Sequence, residues 1–285
     1  MDVTTSDDAS GHGDILNVIC YHSERQDAHR WKKGTSSAEK FTLAFWIKAT
    51  KTGTHICELR DSANDRAVSA AYTVSSSNTW EKKVVTFPAD TTGAIGTGNT
   101  KGLSIYWSLY SGSGYQGASL QTSWGSSATN ARYTNQVNNA DSTSNNWHLT
   151  GVQLEVGEYD ATTIPPFQHD SFGDNFSRCI RYYQDDALYA PGNGDTAVME
   201  ALIPFDGSYF RHLWKQFLVP MRAAPTVSDI VFRDDTGSST TQSGQDDGQL
   251  ITTLTCDIYG RANVGSGDND TNGMYYHGGK YDAEL

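Results

Sequence analysis

Apolar and polar residues alternate one for one along several stretches of this chain. Each such stretch predicts a half-buried β-strand, because successive side chains of a strand point to opposite faces. The clearest run is Phe41, Leu43, Phe45 and Ile47 interleaved with Thr42, Ala44 and Trp46, and its odd positions should line a core. Leu103, Ile105, Trp107 and Leu109 repeat the pattern against a second face of Ser104, Tyr106, Ser108 and Tyr110. Val68, Ala70, Tyr72 and Val74 share one face of a strand over 67–74, and Val152, Leu154 and Val156 alternate with Gln153 and Glu155 until Gly157 ends the run. Residues 15–22, 55–60 and 80–87 read as further strands, the last stopped by Pro88, which has no N–H for a ladder.

Residues 146–183 form a seam. Pro165 and Pro166 each fix φ and lack a donor, so they mark a rigid extended crossing rather than a strand or helix interior. After them Asp170 or Ser171 is placed to N-cap a short helix carrying Phe172, Phe176, Cys179 and Ile180 on one side. Beyond, strand candidates lie at 198–205 and 211–219 around the turn FDGSYF, at Ile230 and Phe232, and at 251–259, where Leu254, Cys256 and Ile258 alternate. The prediction is an all-β chain: a flexible N-terminus (1–10), a β-sandwich (11–160), a proline linker and short helix (161–184), and a smaller β-rich domain (185–285).

At 285 residues there is material for two cored domains. The net charge of −12 is spread along the chain in Asp pairs rather than held in a tail, which argues against nucleic acid and against an anionic membrane as partners. The apolar runs are too short to cross a bilayer, and the first residues have neither the basic flank nor the apolar stretch of a signal peptide, so Sec-type secretion is not expected. Cys20, Cys57, Cys179 and Cys256 are widely separated; without a C-x-x-C pair they read as four buried thiols.

No nucleophile-elbow, zinc-protease or phosphate-loop motif is present, and the expectation is a protein that is not an enzyme. The His22 to His29 connection contains His, Glu, Asp and His without a standard ligand spacing and reads as a solvated loop. Asp268, Asp270 and Asn272 followed by Gly273 match the first half of a calcium loop, but the twelfth position is Gly279 instead of a bidentate Glu. They stand as an incomplete calcium candidate, with an exposed turn as the plainer reading, and no other cofactor is indicated. Residues 111–146 are rich in Gly, Ser, Asn and Thr yet carry Tyr115, Trp124 and Tyr133, which predicts long ordered loops with one or two short strands. Aromatic planes stack on the C–H faces of sugars while hydroxyls and amides bond their OH groups. Tyr106 and Tyr110 with Tyr115 and Trp124 therefore form one candidate glycan platform, against the alternative that they are core or interface; Tyr275, Tyr276 and Tyr281, with His277, form a second cluster.

The order W-x-x-T-G-V-Q-L-E-V-G, then F-x-H, then C-x-R-Y-Y-Q resembles bacteriophage virion proteins, tail fibres and related adhesins in particular. The matching positions are Trp147, 150–157, Phe167, His169, Cys179 and 181–184. FTLAFWIKATKTGTH and YTVSSSNTWEKKVVTFPADTTG are similar to strands of a carbohydrate-binding-module-like jelly roll, and the stretch with Met221, Arg222 and Pro225 resembles the strand start of fibre C-terminal domains. The double proline departs from a single-proline link, and the virion-anchoring part expected of a long fibre has no counterpart before the first strand. The resemblance implies a jelly roll at 11–160, a homotrimer, and residence in a virion assembled in the bacterial cytoplasm. Its partners would be other virion proteins and a host-surface glycan. The C-terminal tyrosines and the loop at 234–247 would then be host-contact candidates. A non-enzymatic receptor-binding adhesin is the first functional expectation, a structural capsid decoration or head-fibre protein the alternative, and a glycan hydrolase ranks third.

Overall fold

The computed structural model describes residues 16–117, 119–127, 130–185, 201–202, 204–206, 209–210, 213–233, 239–242, 255–258 and 274–284. The chain is all-β, every pairing among the described strands is antiparallel, and it divides into two compact units, Met1–Gln168 and His169–Leu285.

The first unit is a two-sheet sandwich. Its strands are β1 (Leu16–Glu24), β2 (Phe41–Ala49), β3 (Gly53–Asp61), β4 (Arg66–Val74), β5 (Glu81–Phe87), β6 (Lys101–Ser111), β7 (Gly125–Ser126) and β8 (Trp147–Val156), with a one-turn helix α1 (Arg25–Ala28) after β1. One sheet has the order β1-β6-β3-β4-β7 and the other β5-β2-β8. The two alternating runs meet between the sheets: Phe41, Leu43, Phe45, Ile47 and Ala49 of β2 pack with Leu103, Ile105, Trp107 and Leu109 of β6, along with Cys57, Leu59, Val68, Tyr72, Val74, Phe87 and Trp147. Phe45 sits edge-on to both Tyr72 (5.0 Å) and Trp107 (5.8 Å), the quadrupole-favoured arrangement. The period-two pattern thus places its apolar residues where it predicts.

β8 shows why the TGVQL motif contains a glycine. β2 pairs with it in register except that Ala44 faces Gln153 while Trp46 faces Thr150, a bulge in β8. Gly151 sits in that bulge with φ +59°, a left-handed conformation costly for any residue with a Cβ. A Cβ there would stand 3.1 Å from Cδ1 of Trp46. After β8, Asp160 fastens the start of the seam: its Oδ1 accepts from Thr162 N (2.8 Å), Thr162 Oγ1 (2.6 Å), Thr163 N (2.9 Å) and Thr163 Oγ1 (3.0 Å). Those donors, the Thr162 hydroxyl foremost, hold its pKa down to about 2.

The second unit opens with α2 (Phe172–Ile180), N-capped by Ser171, whose hydroxyl accepts from Asp174 N at 3.1 Å. Its strands are β9 (Tyr183–Asp185), β10 (Ala201–Leu202), β11 (Pro204–Asp206), β12 (Tyr209–Phe210), β13 (Leu213–Gln216), β14 (Thr226–Arg233), β15 (Ser239–Gln242), β16 (Thr255–Ile258) and β17 (Met274–Asp282). The main sheet runs β10-β17-β14-β15, with β9 also on β17, and the turn FDGSYF contains the β11–β12 hairpin. The fibre-like motif residues meet here in structural roles. Gln184 donates to Ile180 O (3.0 Å) and lies 3.2 Å from Met221 Sδ, while Arg222 donates from Nε to Ala283 O (2.7 Å) and from Nη2 to Glu284 O (2.9 Å).

Two thiol expectations are corrected. Cys20 and Cys179 are exposed, and of the described thiols only Cys57 is buried, where desolvation pushes its pKa well up. Cys20 lies on an edge strand, so alternation alone does not supply a covering layer.

Candidate functional site

Each sheet of the sandwich has an outer face, and the two are treated differently by the rest of the chain. Tyr106, Tyr110, Ser104 and Ser108 do lie on the outer face of β6, beside Glu58 and Ile56 of β3. This face is largely covered by the described residues of 112–117, 119–127 and 130–145. Asn139 donates from N (3.0 Å) and Nδ2 (2.9 Å) to Leu109 O, Ser69 N donates to Gln121 O (2.8 Å), and Arg132 makes a two-pronged pair with Glu58 at 2.6 and 2.5 Å. Burial pushes the Glu58 carboxyl up from its usual pKa, with the Arg132 bonds opposing. The loop supplies its own counter-charge and so can lie over a polar sheet face.

The predicted tyrosine platform is consequently dispersed. Tyr110 is buried at 5% exposure and cannot present a ring to a sugar. Tyr115 packs edge-on to Tyr133 (6.3 Å) under the Arg132 guanidinium, Tyr106 is half-buried with its ring 6.1 Å from His22, and Trp124 belongs elsewhere altogether. The Trp124 indole donates to Pro88 O (2.8 Å), packs on the core and underlies the Lys33 ammonium at 5.0 Å. In the second unit Tyr281 is fully buried, packed edge-on to Phe217 at 5.1 Å; it is core. The backbone of Tyr275 and Tyr276 lies within β17, a strand flanked on both sides, and is not a loop. Asp268, Asp270 and Asn272, and most of the 234–247 loop, lie outside the described residues.

Among the described residues no group of three or more His, Cys, Asp and Glu is placed to hold a metal. An oxygen cage in the first unit is filled by a side chain. Lys33 Nζ lies 2.6 Å from Asp61 Oδ2, 3.0 Å from Asp90 Oδ2, 2.8 Å from Gly93 O and 3.3 Å from Thr92 O, and the lysine and both carboxylates are buried. Arg66 adds a two-pronged bond to Asp90 at 2.8 Å each. Burial raises the Asp90 pKa, but the Arg66 and Lys33 bonds outweigh it and hold it below the ordinary carboxylate value.

The outer face of the three-stranded sheet is half open. The segment after β8 covers one end: Tyr159 N donates to Thr42 Oγ1 (3.1 Å), Gln153 Nε2 donates to Pro165 O (3.1 Å), and Thr42 and Ala44 are fully buried although they face away from the core. Two residues further along β2 the cover stops, and Trp46 and Trp80 are each 43% exposed. Trp46, on the middle strand, has Lys82 opposite it on one side and Thr150 on the other. In the next row the Lys48 ammonium lies 5.8 Å from the Trp80 ring centroid, and His148 is opposite Lys48 with its ring 6.3 Å from Trp80. Trp80 immediately precedes β5, and continuing the β2–β5 register by one residue sets it diagonal to Trp46, a spacing of roughly 7–8 Å between Cα atoms. Gly151, without a Cβ, leaves the edge of the Trp46 indole uncrowded.

This pair of tryptophans is what reading the sequence for tyrosine-rich loops misses. A signal existed: Trp46 is a large aromatic at the polar parity of the most regular alternation in the chain, where Thr42 and Ala44 are small. No family model matches this chain, and no curated protein matches it either.

Proposed function

We propose that this chain is a non-enzymatic phage virion protein, a tail fibre or receptor-binding adhesin, whose jelly-roll-like N-terminal unit holds host-surface glycans on its open sheet face. The observation that carries this reading is the pair of half-exposed indoles, Trp46 on β2 and Trp80 immediately before β5, at the open face of the three-stranded sheet. Their planes offer stacking surface to sugar C–H faces, and rigid strands impose no ordering cost on the protein when a ligand binds. The fibre-like motifs of 146–184 support the virion setting. The test is glycan-array and whole-cell binding by the intact chain, comparing wild type with a Trp46→Ala, Trp80→Ala double variant. Binding should fall roughly tenfold or more, since losing stacked aromatic area costs on the order of 1.5 kcal/mol. Tyr106→Ala should leave it unchanged. Undiminished binding by the tryptophan variant removes the site, and absence of any glycan or cell binding removes the function.

A second reading, a structural virion component such as a capsid decoration or head-fibre protein, draws support from α2. None of its residues is buried, Phe172 is 84% exposed, and its ring stacks on Phe176 at 5.9 Å. An apolar stripe on a nine-residue helix needs a covering surface, and symmetry mates in a homotrimer would provide one. A decoration protein binds purified capsids and ignores cells, which separates the readings.

A further inference from the structure

The open face is not only aromatic. Its two uncovered rows read Trp80, Lys48, His148 and Lys82, Trp46, Thr150, a checkerboard in which each indole has a lysine directly across the strand pair. No carboxylate lies in those rows. The acid on the same face, Glu155, stands opposite Thr42 at the covered end and accepts from Gln153 Nε2 at 2.8 Å. The acids near β5 are spent as well: Glu81 pairs with Lys83 and accepts from Ser75 N and Ser76 N. The Lys82 ammonium, by contrast, has no hydrogen bond or ion pair among the described residues, and the Lys48 ammonium has only the Trp80 ring. Two uncompensated ammonium groups on a chain of net charge −12 form a local cationic spot around the aromatic pair.

Resting on the reading of this face as a glycan site, we infer that its ligand is an acidic saccharide, a pyranose chain bearing carboxylates. The sugar ring stacks on one indole while its carboxylate takes the lysine directly across from it. A neutral sugar would leave both ammonium groups without partners. A carboxylate on one ring and the stacking face of the next fit the step from one position of the checkerboard to its direct neighbour, because indole and ammonium alternate at that step. The negative remainder of the molecule would repel an anionic polymer everywhere else, which confines it to this face.

The experiment uses the full chain and paired probes: oligogalacturonate and an oligomer of a nine-carbon acidic sugar, each alongside its carboxyl-reduced, neutral counterpart. Affinity is read by calorimetry, and tryptophan fluorescence reports on the site itself. The acidic member of at least one pair should bind about tenfold tighter than its neutral partner, the value of one to two charge-assisted contacts, and the advantage should shrink as salt rises from low to physiological strength. Lys48→Gln with Lys82→Gln should erase the advantage while leaving neutral binding in place; Trp46→Ala with Trp80→Ala should abolish both. Equal affinity for acidic and neutral members, or an advantage that survives in the lysine variant, overturns the inference and leaves the glycan site standing. Binding of an inorganic polyphosphate at the same strength as the acidic sugars, unaffected by the tryptophan variant, overturns it in favour of a purely electrostatic anion site. Failure of every acidic and neutral saccharide to bind overturns the inference together with the function on which it rests.

Discussion

Lys33 shows how a single side chain holds three separate loops. Its ammonium bonds Asp61 at the end of β3, Asp90 after β5 and the carbonyls of 92–93, with Gly34 beside it at φ +81°. A Cβ on Gly34 would stand 2.3 Å from the backbone N of Ala94, so this approach tolerates glycine alone. Lys33→Met keeps the stem but leaves buried Asp61 without a cation and Asp90 with Arg66 alone, and it should cost about 3–5 kcal/mol in chemical denaturation; a loss under 1 kcal/mol would mean that water replaces the ammonium. His55 makes a second residue-level prediction. It is buried against Tyr72, donates from Nε2 to Lys51 O (3.1 Å) and faces Asn139 Nδ2 through Nδ1 at 3.5 Å. Burial lowers its pKa below the usual value. An imidazole that stays neutral when folded binds its proton more readily when unfolded. Its contribution is therefore complete above the unfolded pKa of about 6.5 and is lost as pH falls through that value towards the lower folded one. NMR titration of the His55 ring should give a value below 6.5, and denaturation midpoints should decline between pH 7 and 5.

At the scale of elements, β8 connects the fold to the proposed site. Its bulge is built on Gly151 at φ +59°, and the same residue gives the Trp46 indole its room. Gly151→Ala places a methyl in a left-handed backbone and 3.1 Å from the indole. The variant should lose on the order of 1–2 kcal/mol of stability, shift the Trp46 indole resonance, and weaken glycan binding although no ligand contact is removed. Unchanged stability and spectrum would mean that the bulge relocates. The alternation that predicts β2, β4, β6 and β8 is legible because each has one face in the core and one outside. Short strands of the second unit such as β13 and β16 are less legible, since their runs span only 4 residues and their pairing partners are distant in sequence.

For the molecule as a whole, the uncovered stripe of α2 and the half-open sheet face make different demands. Phe172 and Phe176 stack on each other on a helix none of whose residues is buried, whereas Trp46 and Trp80 alternate with lysines. The first suits burial by identical chains and the second a soluble or surface-borne ligand. Sedimentation equilibrium should return about three times the chain mass of 31.1 kDa, and Phe172→Ser with Phe176→Ser should return the monomer. A stable wild-type monomer at micromolar concentration removes the trimer and leaves the sheet-face proposal untouched.

Alternation by itself determined which residues of β2, β4, β6 and β8 face the core, because a period of two is a local property of the strand and needs no knowledge of the partner. It also determined that Trp46, Tyr106 and Tyr110 face outward. Which of those outward residues remain open was decided only by tertiary structure. Residues 112–145 fold over one outer face, bringing Arg132 to Glu58, while Tyr159 and Pro165 stop short of Trp46 on the other. Such coverings depend on contacts between residues 70 or more positions apart, Arg132 with Glu58 and Tyr159 with Thr42, whose loop-closure entropy and counter-charges no local pattern records. That is why a tyrosine at outward parity became interior and a tryptophan at the same parity became the exposed plane.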